Sequence, residues 1–285
     1  MGRGACRVSD LHVCPQFTVI VPHVGGPAIP AAPVTVMAEG LPALRLADFA
    51  FCIGPQDVLS EGAATVLVGG LPWVGRFHKS VHGGLMLLAA STVQIGDPTF
   101  SMPPQVKVKG PSSFQNKVIR DLFLLSTTPS GKELFRRIAA ADQPITIVPE
   151  SDPHNSFAAP NNNDDATHHR PTGSSVMYNP DVAILAYDSS GNKINMSPQV
   201  VLGHEMIHAL NNAEGTHHYG TDPAPPASEP TINEEEAATI GTGSHAGDPL
   251  TENTFRNDLG QGRRDNHYGE ASPTGPTGSL RPGGY

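Results

Sequence analysis

Apolar and polar positions change rhythm along the chain. Up to about residue 96 the apolar residues come in short β-rich runs broken by Gly and Pro. Val34-Thr35-Val36-Met37-Ala38-Glu39-Gly40-Leu41-Pro42 returns as Thr65-Val66-Leu67-Val68-Gly69-Gly70-Leu71-Pro72, and in part as Thr92-Val93-Gln94-Ile95-Gly96. Runs repeating at about 30 residues with Gly-rich ends predict a small all-β unit of repeated hairpins. Pro and Gly clusters between 97 and 112 predict a boundary. Beyond it, Phe114 to Leu125 and Pro129 to Ala141 carry apolar residues at helical spacing after Ser or Thr-Pro starts. Ile145 to Val148 reads as a strand, as do Val176 to Tyr178 and Val182 to Tyr187, the last closed by a turn over Asp188 to Asn192. Residues 151–175 are rich in Asn, Asp, Ser, His and Pro and read as a loop, with His154, His168 and His169 solvated.

From Val200 to Leu210 the pattern is helical again, with Leu202, Met206, Ile207, Ala209 and Leu210 on the face away from His204 and His208. Ser197 is placed to cap this helix, Pro198 suits its first turn and Gly215 offers a stop. Two histidines four apart on a helix lie about 5–6 Å from each other, close enough to share one Zn²⁺. Glu205 stands beside them, where a general base would take a proton from water. The combination points to zinc-assisted peptide hydrolysis, which needs a third protein ligand. The best source downstream is Glu234-Glu235-Glu236, ahead of the helix-compatible run from Ala237.

Composition sets outer limits. A chain of 285 residues has room for two domains. The net charge of −9 is uneven: residues 1–105 hold 5 Lys and Arg against 6 Asp and Glu, and the rest 13 against 21. An acidic second half argues against nucleic-acid binding. No apolar run is long enough to span a bilayer, and the start lacks the apolar core of a secretory signal, so no membrane-spanning segment and no signal peptide are expected. The three cysteines, Cys6, Cys14 and Cys52, are too few for a disulfide scaffold and suggest a thiol or metal role.

Two resemblances extend this reading. Gly40-Leu41-Pro42-Ala43-Leu44-Arg45-Leu46-Ala47-Asp48, with Ser9-Asp10-Leu11-His12-Val13-Cys14-Pro15, Pro22-His23-Val24-Gly25-Gly26-Pro27, Cys52-Ile53-Gly54-Pro55 and His82-Gly83-Gly84, resembles the PAAR-repeat family. That likeness implies the small cone-shaped tip of a type VI secretion spike, carried on a trimeric spike protein. It also implies a structural zinc, for which His23, Cys52 and His82 are first choices and either His12 or Cys14 completes the set. His78 stands where relatives often have an acidic residue and is left unassigned.

The HExxH of His204 to His208, followed by Glu-Glu-x-x-Thr-x-Gly, resembles the secreted-effector zinc peptidases and, more distantly, clostridial neurotoxin light chains. This implies a zincin-like α+β, gluzincin-type domain with Glu236 as third zinc ligand and Glu235 as its neighbour; a shift of register would exchange them. Thr251 to Arg256 and Arg263 to Tyr268 resemble the C-terminal end of the same peptidases, where an arginine and a tyrosine three apart stabilise the oxyanion. Here Tyr268 lies four beyond Arg264 and five beyond Arg263, leaving Arg264, Arg263 or His267 as its partner donor.

The expectation is therefore a PAAR-like spike tip over 1–105 and a zinc metallopeptidase domain over 106–285 with a flexible tail from Gly269. As a specialised type VI effector it would leave the cell without a signal peptide and cut a target-cell protein. A dedicated immunity protein is implied if the target is a competing bacterium. The competing expectation is a non-catalytic tip with a degenerate zinc-binding extension. An intact Glu205 speaks against it, since structural zinc needs no base between its ligands.

Overall fold

Cys6, Leu44 and Val74 close a ring of backbone hydrogen bonds at the centre of the N-terminal part of the chain. In the computed structural model, which describes residues 2–96, 98–194 and 196–267, Cys6 N–H donates to Val74 C=O at 2.8 Å, Val74 to Leu44 at 2.9 Å and Leu44 back to Cys6 at 3.0 Å. All three side chains are fully buried. Just beyond each ring member comes the same turn: the N–H groups of Arg7, Arg45 and Gly75 donate to Asp10 Oδ2, Asp48 Oδ2 and His78 Nδ1 at 2.7, 2.7 and 2.9 Å. Ser9, Ala47 and Phe77 inside these turns have φ of 72°, 70° and 68°, a left-handed conformation that such side chains adopt only when neighbouring bonds hold it. His78 thus takes the place of the acidic residue in the third copy, an imidazole nitrogen accepting where a carboxylate does in the other two.

The chain is a mixed α and β protein, and contacts divide it into Met1–Met102 with Val108–Phe123, and Pro103–Lys107 with Leu124 onward. In the first unit the strands are short. Met37–Ala38 pairs with Leu41–Pro42 and Gly62–Val68 with Leu71–Trp73, whereas Gln94–Ile95 pairs with Arg3–Gly4 at the start of the chain. Helix α1 (Ser112–Ser126) groups with this unit as far as Phe123. There Asn116 donates to Ala47 C=O and Phe123 meets Phe100 edge-on at 5.3 Å.

The second unit is built on a four-stranded sheet in the order Val106–Val108, Ile145–Pro149, Ser174–Tyr178, Phe157–Pro160. Ile145–Pro149 and Ser174–Tyr178 run parallel, and Phe157–Pro160 is antiparallel to the latter. Ile145, Ile147, Ser174, Val176 and Tyr178 are buried at alternate positions, which leaves one face of the sheet for packing. Helix α4 (Pro198–Glu214) lies against it and against α2 (Pro129–Ala141) and α6 (Glu252–Asp258). Tyr178 Oη donates to Pro198 C=O at 3.0 Å and Asn212 Nδ2 to Ser174 Oγ at 3.1 Å, so both ends of α4 are tied to one strand.

Two local expectations are corrected. Residues 151–175 are not all loop: Phe157–Pro160 joins the sheet, and α3 (Asn163–Thr167) is capped by Asn162 Oδ1. Only Ala158 of that strand is buried, so no alternation marked it. Val182 to Leu185 is not a strand. Asp181 N–H turns to Asn179 Oδ1, and Ala183 N–H to Pro153 C=O, which takes the chain off the sheet; Ala186–Tyr187 then pairs with Lys193–Ile194 around the expected turn.

Gly203 sets how closely α4 approaches α6. A Cβ there would come within 2.8 Å of the Phe255 ring, which is fully buried and has little room to yield. Gly203→Val should therefore cost about 1–3 kcal/mol, read as a lower urea midpoint of the second unit. An unchanged midpoint would show that this contact relaxes freely.

Candidate active site

The face of α4 that carries both histidines begins with its capping. Pro198 fills the first turn, and Gly215 ends the helix with φ 68°, its N–H accepted by Asn211 and Asn212 C=O. Ser197 sits at the N-cap with extended backbone but makes no side-chain cap. Its hydroxyl accepts from Gln261 Nε2 at 3.0 Å instead, which ties the helix start to the segment after α6. Leu202, Met206, Ile207, Ala209 and Leu210 are all buried, as are His204, Glu205 and His208.

His204 and His208 bring their Nε2 atoms to 3.1 Å. Helix α5 (Glu234–Ile240), capped by Asn233, brings Glu236 to them, with its carboxylate oxygens 3.3 Å from His204 Nε2 and 3.4 Å from His208 Nε2. The ligand atoms of these three residues all lie within 4.8 Å of one another. Glu236 Oε2 is buried without a hydrogen-bond partner. Two imidazole nitrogens and a carboxylate converging on one point, with an acceptor left over, suit a tetrahedral zinc with an open fourth position.

The other face of each ring is held by a carboxylate. His204 Nδ1 is 2.9 Å from Glu252 Oε2 and His208 Nδ1 is 2.9 Å from Glu235 Oε1. A proton fixed on Nδ1 leaves the Nε2 lone pair free for a metal. Glu235 is thus turned away from the Nε2 atoms, and it also accepts from Asn211 Nδ2 and from the His218 N–H, both at 2.9 Å. Glu252 is completely buried and is neutralised by Arg256 Nε at 2.6 Å and Arg264 Nη1 at 2.8 Å. Glu252 was given no role from the sequence: it lies in the stretch Thr251 to Arg256 that resembles the C-terminal end of the effector peptidases, but nothing in that stretch singles out this carboxylate.

Electrostatics favour positive charge at the Nε2 atoms. Burial opposes protonation of His204, but Glu236 and Glu252 outweigh it and hold its pKa up at about 9. For Glu236 burial would raise the pKa, yet His267, then His208 and His204, keep it well below the usual carboxylate range. Glu205 is shifted the other way: burial raises its pKa, against the pull of His204 and His208. It thereby moves towards the range in which a carboxylate works as a base near neutrality.

His204 and Glu205 form part of the wall of a cavity of about 490 Å³, together with Ile184, Leu185, Arg264 and His267. His154, expected to be merely solvated, also borders it and has Nδ1 3.0 Å from Ala183 C=O. His168 stays exposed and pairs with Asp164. Arg264 reaches the cavity with committed donors: Nε goes to Asn266 C=O, Nη1 to Glu252 and Nη2 to His267 C=O. Its observed work is therefore to hold the 264–267 turn against α6. Arg263 Nη2 donates to Gly241 C=O at 3.1 Å. His267 Nε2 lies 3.6 Å from Glu236 Oε2. Tyr268 lies outside the described residues.

In the first unit Cys14, His23, Cys52 and His82 also form a group with ligand atoms within 4.8 Å. Cys14 Sγ is 3.7 Å from His23 Nδ1 and 3.5 Å from His82 Nδ1. Burial, then the neighbouring Cys14, pushes the Cys52 thiol up to about 12. Of the two residues left open by sequence, Cys14 is the one in this group. His12 is turned away, with Nδ1 at 3.1 Å from Gly26 C=O and Nε2 at 3.4 Å from Asp57.

A family model, Peptidase_M91, described as effector protein, matches residues 103–268, more than half of the chain. Among solved structures the chain is similar to the Clostridium botulinum neurotoxin serotype F light chain, with 16% identity and a TM-score of 0.37 over 53% of this chain and 50% of that one. It is also similar to the catalytic domain of Clostridium botulinum neurotoxin serotype F, with 17% identity and a TM-score of 0.35 over 46% and 42%. The chain spans half or less of the length of these neurotoxin chains. No curated protein matches it.

Neutralising either carboxylate behind the histidines should loosen zinc without removing a ligand. Glu235→Gln and Glu252→Gln are each expected to weaken zinc binding at His204 and His208 about 10- to 100-fold, measured by competition with a chromophoric chelator. Wild-type affinity in both would show that these partners do not tune the site.

Proposed function

The chain belongs to the effector-protein peptidase family Peptidase_M91, and we propose from this premise that its second unit is a zinc-dependent endopeptidase of the gluzincin type, acting on a protein of a target cell. The observation that carries the reading is the convergence of His204 Nε2, His208 Nε2 and the Glu236 carboxylate beside a buried Glu205 that faces the cavity. His204, His208 and Glu236 would hold the ion. Zinc bound there supplies Lewis acidity, polarising a peptide carbonyl and making water easier to deprotonate.

The remaining steps belong to the chain's own residues. Glu205 takes the proton of the attacking water and passes it to the leaving amine. Glu235 and Glu252 keep both imidazoles in the tautomer that offers Nε2. Arg264 keeps the 264–267 turn at the cavity wall and adds positive potential there, and Tyr268, by its place in the motif, is the candidate donor to the developing oxyanion. Ile184 and Leu185 border the cavity in a segment that belongs to no sheet, a place suited to receive an extended peptide by its main chain. A purely structural role does not account for Glu205, a buried carboxyl that ligates nothing in this arrangement.

The first unit we read as a PAAR-like spike tip seated on a trimeric spike protein, so that the peptidase is exported by type VI secretion without a signal peptide. Support comes from the residues quoted for that family and from the threefold recurrence of one turn around Cys6, Leu44 and Val74. Cys14, His23, Cys52 and His82 offer two thiols and two imidazoles, a donor set suited to a structural zinc. An immunity protein in the producing cell completes this reading for a bacterial target.

The test compares donor cells carrying wild-type chain or Glu205→Gln, with and without a working type VI sheath. Glu205→Gln should lower the rate of substrate cleavage about 100- to 10,000-fold at unchanged zinc content. New peptide termini in target cells should require both Glu205 and the sheath. Identical termini with wild type and Glu205→Gln would overturn the peptidase reading; cleavage in target cells without the sheath would overturn the delivery route.

A further inference from the structure

Three residues that the peptidase reading leaves unused meet a short way from its ligands. His218 follows α4, Glu234 opens α5, and His245 ends the 3-10 turn Gly243–His245. Their ligand atoms all lie within 4.8 Å of one another. Glu234 Oε1 is 3.7 Å from His218 Nδ1 and 3.8 Å from His245 Nε2, and the two rings are 5.1 Å apart at 66°.

These separations are too long for hydrogen bonds but close to the roughly 3.5 Å between two ligand atoms of a tetrahedral ion bound at about 2.0–2.2 Å. His245 Nε2 is buried and has no hydrogen-bond partner. Its Nδ1 is 2.8 Å from Asp248 Oδ2, the same carboxylate grip that Glu235 and Glu252 exert on His208 and His204. That grip places the proton on Nδ1 and turns the Nε2 lone pair towards Glu234. The 3-10 turn is itself fixed, because Ser244 N–H donates to Asp222 Oδ2 at 3.0 Å.

We propose that His218, Glu234 and His245 form a second, exchangeable site for a divalent transition cation of the zinc class. Two imidazoles and one carboxylate are the donors such an ion selects over calcium or magnesium, which take oxygen. His218 and Glu234 are partly exposed, with side-chain accessibilities of 37% and 27%, so water reaches the fourth position. The ion clamps three segments together: the chain after α4, the first turn of α5 and the 3-10 turn. Glu234, Glu235 and Glu236 then have separate tasks, the first holding this ion, the second orienting His208 and the third reaching the Nε2 atoms. Because His218 N–H also donates to Glu235, filling the second site steadies the carboxylate behind His208.

The test is native mass spectrometry of the full chain dialysed against a series of free Zn²⁺ concentrations. His218→Ala and His245→Ala should each bind one Zn²⁺ fewer than wild type at saturation. Asp248→Ala, which alters only an exposed side chain, should retain that equivalent but need about tenfold more free Zn²⁺ to fill it. The same number of ions filling at the same concentrations in all four proteins would overturn the site. The result is independent of catalysis, since Glu205→Gln keeps every equivalent whether or not the chain is a peptidase.

Discussion

The second unit depends on how two buried carboxylates hold two buried imidazoles. Glu252 and Glu235 each lie 2.9 Å from the Nδ1 of a histidine on α4, and all four side chains are removed from water. Buried charge is tolerated only with partners on every side. Glu252 therefore needs Arg256 and Arg264, and Glu235 needs Asn211 and the His218 amide. Those needs fix where α5, α6 and the 264–267 turn stand around α4. The convergence of the two Nε2 atoms is the outcome of that network, with Gly203 permitting the close approach of α6.

Much of this frame was legible in the residues. The limits of α2 and α4 and the left-handed stop at Gly215 follow from local rules, a Pro at a first turn and a glycine beyond the last; the i,i+4 spacing put His204 and His208 on one face, whereas Glu236 beside them was what the family resemblance implied, with Glu235 as its alternative. What stayed hidden depends on contacts distant in sequence. Ser197 reads as a cap, yet Gln261, 64 residues on, takes its hydroxyl. Glu252 lies in a stretch that carries the peptidase resemblance, yet its own part becomes clear only when α6 packs on α4. Phe157–Pro160 escapes pattern reading because an edge strand with a single buried residue carries no alternation.

The N-terminal unit shows the same division. The repeated hairpins are visible as Gly-rich runs and the family resemblance sets His78 where relatives often have an acidic residue, but the shared role of Asp10, Asp48 and His78 rests on their bonds to Arg7, Arg45 and Gly75. A carboxylate and an imidazole share no letter, though each offers an acceptor at the same place. The choice between His12 and Cys14 was likewise beyond one-dimensional reading. Neighbouring strand residues point to opposite faces, but two residues apart can diverge where the chain bends, and Asp57 draws His12 to itself.

In the proposed site the Nε2 atoms of His204 and His208 and the carboxylate of Glu236 share one zinc ion while Glu235 and Glu252 stay on the far side of the rings. Diffraction at the zinc absorption edge from crystals of the full chain locates that ion and its ligands. The expected result is an anomalous peak about 2.0–2.1 Å from both Nε2 atoms and about 2.0–2.2 Å from Glu236, with both Nδ1 contacts retained. A peak bound by Glu235 in place of Glu236, or no peak between α4 and α5 in zinc-loaded crystals, would contradict it.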